Sequence, residues 1–381
     1  MIQTNHLQAI NAALEEARKL FAKKLKLEAV IRLEDTLHHL PSNIDIDSRI
    51  HLINELAYYL AHAGRRNDSF YYYRISLDLD PGHSETVTRY AKALARTGDI
   101  EGAQIILTAG HAKNPDDLSI RTEQGWLAAK KGHYNQAEQI LSSVLILKEN
   151  HSRALYKLGK TYAMQQGKLQ LAQKHLQEAY KYATEKATRI LNALAIVLVM
   201  QQDFLTAETK LLESIRLKKD DVLPHELLAF LFLKQNRLQS FYKHVIYAPK
   251  PDGIYDSLRI LKAKALAAFL EGNVKEARSR SRLVISDELR FAGNRLDPAI
   301  ASIFLASNPD PHDSIYKTIQ QKMAAQFSGF EAESRTLSGN PQIIIRIHPG
   351  LFSILSFARR PKSPTAPAHR AQIQHARLAL T

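Results

Sequence analysis

The sequence contains no cysteine, which excludes disulfides, thiolate zinc sites, iron–sulfur clusters and a cysteine nucleophile. Long apolar runs are missing too. The densest apolar stretch, from Ile190 to Met200, is too short for a membrane span of about 20 residues. The N-terminus has no basic start followed by an apolar core, so no signal peptide is predicted. We therefore expect a cytoplasmic protein, or a periplasmic one if a signal peptide has been removed.

Signatures of catalysis are absent as well. Neither G-x-S-x-G, G-x-G-x-x-G nor H-E-x-x-H occurs, and the sixteen histidines include no H-x-x-x-H pair. The adjacent carboxylates Asp116-Asp117 and Asp220-Asp221 fall near predicted helix starts, where they cap the helix or complement its dipole. The sequence thus predicts a protein that is not an enzyme and that holds no metal and no cofactor.

Acidic residues are missing from one region. Between Ser334 and Thr381 there are seven Lys or Arg and no Asp or Glu, so half of the net charge of +14 lies there. We predict that 331–381 is a basic, Pro-containing tail, partly disordered because it cannot form a core. Its apolar part, Gln342 to Phe357, could fold back onto the rest of the chain or lie on an anionic membrane surface. It could also be foreign to the fold.

A period of 34 to 36 residues runs through most of the chain, apart from one longer linker from Asn43 to Arg49. Units begin near residues 10, 50, 84, 118, 152, 188, 222 and 258. In the unit that starts at Ser84, small residues stand at Ala91 and Ala103, Gly98 marks the joint between two predicted helices, and Pro115 follows the second helix. Apolar residues recur at the helical period, so each unit predicts a helix–turn–helix hairpin.

This pattern resembles the tetratricopeptide repeat family over residues 10 to about 291. The resemblance implies an all-α fold, a right-handed superhelical solenoid of about eight helix–turn–helix repeats. One hairpin cannot bury its own apolar face, so stacked hairpins supply the core. Residues 1–291 would form the repeat domain, and 292–330 would form capping helices, predicted from Pro298 to Ala306 and from His312 to Phe327.

In this architecture the first helix of each unit lines a concave groove. The positions that stacking leaves free are basic and aromatic in the earlier units and apolar in the later ones. The predicted partner-binding residues are Asn54, Tyr58, Arg89, Lys92, Arg96, Trp126, Lys130, Arg153, Tyr156, Lys157, Lys160, Arg189, Ile196, Met200, Leu227, Phe230 and Phe269. A contiguous apolar face predicts a contact, either with the C-terminal segment or with a partner helix.

The sequence therefore favours a non-catalytic scaffold that binds a protein or peptide segment, acidic or an amphipathic helix, in its groove. Such a scaffold could assist assembly of a larger complex of the bacterial envelope or of secretion. The alternative is a helical-repeat protein that binds nucleic acid through the basic half of the groove. Against it, only half of the net positive charge lies outside the tail, and no base-reading residue recurs at a fixed repeat position.

Overall fold

A computed structural model describes residues 2–23, 25–41, 44–165, 167–184, 187–249, 258–291, 298–307, 316–319 and 321. Over these residues the secondary structure is helical and includes no strand. In the described part of the chain, the first sixteen helices follow one another in sequence order as eight pairs, and further helical residues lie at 298–307, 316–319 and 321. The pairs are α1 (Ile2–Ala22) with α2 (Lys26–His38), α3 (Ile46–His62) with α4 (Arg66–Leu79), α5 (Ser84–Thr97) with α6 (Ile100–Lys113), α7 (Leu118–Lys130) with α8 (Tyr134–Leu147), α9 (Ser152–Ala163) with α10 (Leu169–Lys181), α11 (Ala187–Met200) with α12 (Phe204–Leu217), α13 (Val222–Lys234) with α14 (Leu238–Ile246), and α15 (Leu258–Leu270) with α16 (Val274–Phe291).

The prediction of an all-α fold built from successive helix–turn–helix pairs is thus confirmed for the described residues. We call the first helix of each pair the A helix and the second the B helix. The A helices α5, α7, α9, α13 and α15 begin at the first residue predicted for their repeats, and α1 and α3 begin earlier. Helix α1 is also longer than the other A helices.

The chain divides into two compact units, Met1–Thr161 and Tyr162–Thr381, where the repeat pattern alone suggests one domain over 1–291. In the first unit, A helices pack side by side: α1 against α3, α3 against α5, and α5 against α7. Each B helix also packs on the next A helix, α2 on α3, α4 on α5 and α6 on α7. In the second unit α11 packs on α13 and α13 on α15, with α10 on α11 and α12 on α13.

The turn between the helices of a pair needs one residue in the left-handed region, where a side chain on Cβ is strained. Glycine supplies it in several pairs, for example at Gly98 with φ 94° and at Gly132 with φ 85°. In the turns of α11–α12 and α13–α14 the same place is taken by Gln202 and Asn236, with φ 66° and 56°. The turn geometry is therefore retained even where the glycine is not.

Small residues let the two helices of a pair approach closely. A Cβ added at Gly125 in α7 would lie 2.7 Å from Cγ of Leu141 in α8, and one added at Gly110 in α6 would lie 2.5 Å from a methyl group of Val87 in α5. Helix starts are capped by aspartates, among them Asp117, whose Oδ1 accepts from the Ile120 N–H at 2.8 Å. These carboxylates serve local structure, as capping predicts.

Helix α17 (Pro298–Ser307) packs against both α15 and α16 at the end of the repeat array. Most of the second predicted capping helix, His312 to Phe327, and the whole predicted tail, 331–381, lie outside the described residues. Of the helices that the structure describes, none combines the length and the apolar character that crossing a membrane requires.

Candidate protein-binding face

Eleven of the predicted partner-binding residues lie on the A helices α3, α5, α7 and α9 within the first unit. We call this set the A-helix face. It consists of Asn54, Tyr58, Arg89, Lys92, Arg96, Trp126, Lys130, Arg153, Tyr156, Lys157 and Lys160. Because successive A helices pack side by side, residues one repeat apart are brought together, and the contacts described next follow that spacing.

At one end of the face, Arg89 on α5 is held by two carboxylates. Its Nη2 lies 2.7 Å from Oε1 of Glu55 on α3 and 2.6 Å from Oε1 of Glu85, four residues earlier on its own helix. The guanidinium also lies 5.7 Å from the centre of the Tyr58 ring. Arg89 therefore links two A helices, and its charge is largely compensated within the protein.

Glu123 on α7 is the carboxylate at the centre of the face, with 3% of its side chain exposed. Lys157 on α9 donates from Nζ to its Oε2 at 2.9 Å, and Nζ of Lys92 on α5 lies 3.0 Å from its Oε1. Burial alone would raise the pKa of Glu123, but the two ammonium groups outweigh burial and lower that pKa to about 2. Burial lowers the pKa of Lys157 to about 8, although Glu123 opposes the shift. Near neutral pH this buried cluster is therefore ionised and links three A helices.

A group of aromatic and basic side chains lies beside this ion cluster, because Nζ of Lys157 is 5.2 Å from the centre of the Trp126 ring. We call this group the Trp126 cluster: Trp126, Lys130, Tyr156 and Lys160. Nζ of Lys160 lies 4.3 Å from the centre of the Trp126 ring and 5.3 Å from that of Tyr156, within the range of cation–π attraction. Nζ of Lys130 lies 6.0 Å from the Trp126 ring. Lys130 is exposed, and the other three side chains are half-buried. The Trp126 cluster can therefore be contacted from outside.

Two predicted residues of the face are buried. Asn54 is 0% exposed, and its Nδ2 donates to Oγ1 of Thr86 on the next A helix at 2.9 Å. Lys157 is buried with Glu123. The expectation that these two side chains contact a partner is therefore corrected, because each instead joins one A helix to the next.

The accessible residues of the face are Tyr58, Lys92, Arg96 and Arg153, in addition to the Trp126 cluster. Arg96 and Arg153 are exposed, and Tyr58 and Lys92 are half-buried. Tyr58 also packs against His62, with ring centres 4.2 Å apart. The accessible members of the A-helix face are thus basic and aromatic, and their role in binding a partner stays a prediction.

The six remaining predicted residues belong to the second unit. Ile196, Leu227 and Phe230 are buried, so the apolar surface expected of them is not open to a partner. The physical reason is packing: α13, which carries Leu227 and Phe230, contacts α11, α12, α14 and α15. Arg189 and Met200 are exposed, and Phe269 is half-buried.

The second unit also holds a pair of stacked histidines that the sequence did not single out. The rings of His225 on α13 and His244 on α14 lie 5.1 Å apart, and Nε2 of His244 is 3.3 Å from the carbonyl oxygen of His225. Burial and the neighbouring His225 lower the pKa of His244 to about 4. Burial also lowers the pKa of His225, so both rings are neutral near neutral pH. In the described part of the chain, no group of three His, Asp or Glu side chains is placed to hold a metal ion.

Sequence reasoning missed the carboxylates Glu55 and Glu123. A signal was available: Glu55, Arg89, Glu123 and Lys157 follow one another at intervals of 34 residues with alternating charge. Because one repeat separates neighbouring A helices, this spacing places opposite charges side by side. In the second unit, Glu226 and Arg259 form an equivalent pair at 2.6 Å.

No protein-family model matches the sequence, and no curated protein sequence does. Among solved structures, the chain is similar to Pseudomonas aeruginosa pilF, with 15% identity, 55% of this chain and 92% of that chain covered, and a TM-score of 0.45. It is also similar to a tetratricopeptide repeat protein from Parabacteroides merdae, with 15% identity, 78% and 98% covered, and a TM-score of 0.44. A third is a thermophilic protein of the same repeat class from Thermus thermophilus, with 18% identity, 48% and 99% covered, and a TM-score of 0.44. Function is therefore inferred from the residues of this chain.

Proposed function

We propose that this chain is a non-catalytic scaffold that binds a segment of another protein on the A-helix face of its first unit. The observation that carries the proposal is the Trp126 cluster, in which two half-buried aromatic rings and two lysines remain accessible. Tryptophan and tyrosine are enriched among the residues that supply most of the binding energy in protein interfaces. Trp126 also packs against the buried residues Ala128, Ala129 and Ala137, so part of its ring contributes to the core and part remains accessible.

The rigidity of the face supports the same function. Its helices are joined by ion pairs from Glu55 to Arg89 and from Glu123 to Lys92 and Lys157. A surface whose supporting side chains are already fixed loses less entropy when a ligand binds. The A-helix face is therefore suited to recognising one extended or helical segment.

The sequence analysis also predicted that the scaffold assists assembly of a larger envelope or secretion complex. This stays a prediction, and identifying the partner protein would test it. Binding of nucleic acid stays the competing prediction. It requires binding that weakens steeply with salt, because contacts to phosphates release counterions. A scaffold for protein segments requires binding of peptides in the absence of nucleic acid.

Because the chain contains no cysteine, a crosslinker can be attached at one introduced cysteine and nowhere else. Short peptides are selected from a random displayed library against the full chain. A photo-crosslinker is then attached to one introduced cysteine, either Arg153→Cys on α9 or the control Gln139→Cys on the B helix α8. Both positions are exposed.

We expect selected peptides to crosslink at position 153 and not at position 139. Crosslinking at position 139 alone would place binding elsewhere on the first unit. Failure to select any binding peptide, together with salt-dependent binding of mixed RNA and DNA, would replace the scaffold function with the nucleic-acid alternative.

A further inference from the structure

Two contacts join α7 to α9 on the A-helix face. Nζ of Lys157 lies 2.9 Å from Oε2 of Glu123, and Nζ of Lys160 lies 4.3 Å from the centre of the Trp126 ring. Glu123 and Trp126 are three residues apart on α7, and Lys157 and Lys160 are three residues apart on α9, so the two members of each helix lie on one side of it. The ion pair and the ring contact therefore belong to one interface between the two helices.

The ion pair is the buried part of this interface. Because the side chains of Glu123 and Lys157 are almost completely buried, their attraction is screened little by water. Trp126 is only half-buried, and alanine methyl groups cover only part of a ring as large as an indole. The described core cluster against which Trp126 packs consists of Ala128, Ala129 and Ala137. Packing alone therefore leaves the orientation of this ring weakly determined.

We propose that Glu123 and Lys157 are positioning residues, which fix the orientation in which the Trp126 indole meets a bound peptide. This inference rests on the proposed function and adds two residues that the ligand does not touch. The Lys157 ammonium, held by Glu123, lies 5.2 Å from the centre of the ring, within the range of cation–π attraction. The same ion pair holds α9 against α7, and so keeps the Lys160 ammonium beside the ring as well.

A ring that is fixed before binding contributes to affinity. An anchor side chain that moves in the free protein must be immobilised when the ligand binds, and this costs about three- to ten-fold in affinity for one side chain. Loss of the ion pair should therefore weaken peptide binding, although both of its charges are buried beneath the face.

The main variant combines Glu123→Leu with Lys157→Met, because apolar replacement of both members of a buried ion pair preserves packing. Lys157→Met alone is a second variant, in which Lys92 still neutralises Glu123. Lys92→Met is the matched control. It removes an ammonium group from the same carboxylate but leaves the bond between Glu123 and Lys157 in place. Urea unfolding of each full-length variant shows that it is folded.

Trp126 is the chain's single tryptophan, so tryptophan fluorescence reports on this ring alone. Time-resolved fluorescence anisotropy measures the motion of the ring on the nanosecond timescale, and quenching by acrylamide measures its exposure to solvent. The affinity of a library-selected peptide for each variant is measured by calorimetry.

We expect the double variant to show a larger amplitude of fast ring motion and stronger quenching by acrylamide than wild type. It should bind the selected peptide about three- to ten-fold more weakly, and Lys157→Met alone should change both properties in the same direction. Lys92→Met should leave the ring motion unchanged and the affinity within about two-fold of wild type. If the ion pair served helix packing alone, the double variant would keep the ring motion of wild type, because its apolar side chains preserve that packing.

Unchanged ring motion in the double variant would overturn the proposal, and so would an equal loss of affinity in Lys92→Met. If selected peptides crosslink at position 153 and bind the double variant as tightly as wild type, the positioning role fails and the proposed scaffold function stands. If no library peptide binds the wild-type chain, the scaffold function fails, and the ring motion still decides whether the ion pair orients Trp126.

Discussion

Glu123 is a carboxylate that water barely reaches, and two ammonium groups stabilise its charge. A buried ion pair gains little over a well-packed apolar pair, but a single partner left alone in the interior is costly. In the cluster of Lys92, Glu123 and Lys157, the cost of substituting one residue therefore depends on whether its partner is substituted too. The cluster also fixes α7 between α5 and α9, since Lys92 lies on one neighbour and Lys157 on the other.

We predict strong coupling between Glu123 and Lys157. Glu123→Leu should lower the free energy of unfolding by about 3–5 kcal/mol, because it leaves Lys157 buried without a carboxylate. Adding Lys157→Met should restore most of that loss. Urea unfolding of the two single variants and the double variant measures the coupling. Losses that simply add would show that the pair does not interact as the structure shows.

Lys92→Met is the matched control for this cycle. Lys92 bonds to the same carboxylate, but 35% of its side chain is exposed, so water compensates for much of what is lost. The expected cost is below about 1 kcal/mol. A loss as large as that of Glu123→Leu would mean that Lys92, and not Lys157, is the main partner.

Which side chains line the A-helix face was predictable from repeat position, but their burial was only partly so. Tyr58, Trp126 and Arg153 remain accessible. Asn54 and Lys157 were expected to be accessible as well, but Asn54 bonds to the next A helix and Lys157 to the preceding one. Whether these side chains are buried depends on the residue that faces them from the neighbouring repeat. A consensus that describes the positions of a single repeat does not include that residue. Only the alternation of charge at 34-residue intervals carries that information.

At the scale of helices, the turn between the A and B helices fixes the geometry of each pair. Helix boundaries were predictable because small residues, glycine at the joint and proline after the second helix recur together. The left-handed position was predictable only where glycine occupies it. Gln202 and Asn236 adopt the same conformation because the flanking helices impose it, despite its strain for residues with a Cβ.

We predict that Gln202→Gly stabilises the protein by about 0.5–1 kcal/mol, because glycine relieves the strain of a positive φ at some cost in unfolded-state entropy. Gly132→Ala is the reverse change in another turn. Its Cβ would meet no atom within 4 Å, so only backbone strain should lower stability, by about 1 kcal/mol. Thermal unfolding of both variants measures the two effects, and shifts of the same sign would contradict this account of the turn.

The stacked histidines link α13 to α14 and predict a dependence on pH. Because the folded-state pKa of His244 is lowered to about 4, the unfolded chain binds the proton more tightly. Stability is therefore fully present above the usual histidine pKa and is lost as pH falls from about 6.5 towards 4. The loss should reach about 2 kcal/mol for a ring that is partly screened by solvent.

His244→Phe should remove this part of the acid sensitivity, since a phenyl ring can keep the edge contact with Phe232. The measurement is the free energy of unfolding at several pH values between about 7 and 4.5, compared with wild type. His133→Gln, at an exposed histidine, should leave the pH dependence unchanged. An equal effect of both substitutions would show that the buried pair is not responsible.

At the scale of the whole molecule, the change from basic to apolar residues along the repeats was visible in the sequence, but its meaning was not. The predicted basic residues other than Arg189 belong to the first unit, and of these only Lys157 is buried. Of the apolar part, Ile196, Leu227 and Phe230 lie in the interior of the second unit. The division after Thr161 was not predictable, because the unit that begins at residue 152 lengthens the period only from 34 to 36 residues, as the unit that begins at residue 222 also does.

The most direct test uses the chain's single tryptophan, which lies in the proposed site. Trp126 emission is recorded while an unlabelled library-selected peptide is added to the full wild-type chain. If the peptide binds beside Trp126, the emission should shift saturably to shorter wavelength as water is excluded, with the same midpoint as a calorimetric titration of the same peptide. Calorimetric binding of the peptide with no change in Trp126 emission would contradict the central claim, since the ligand would then bind elsewhere.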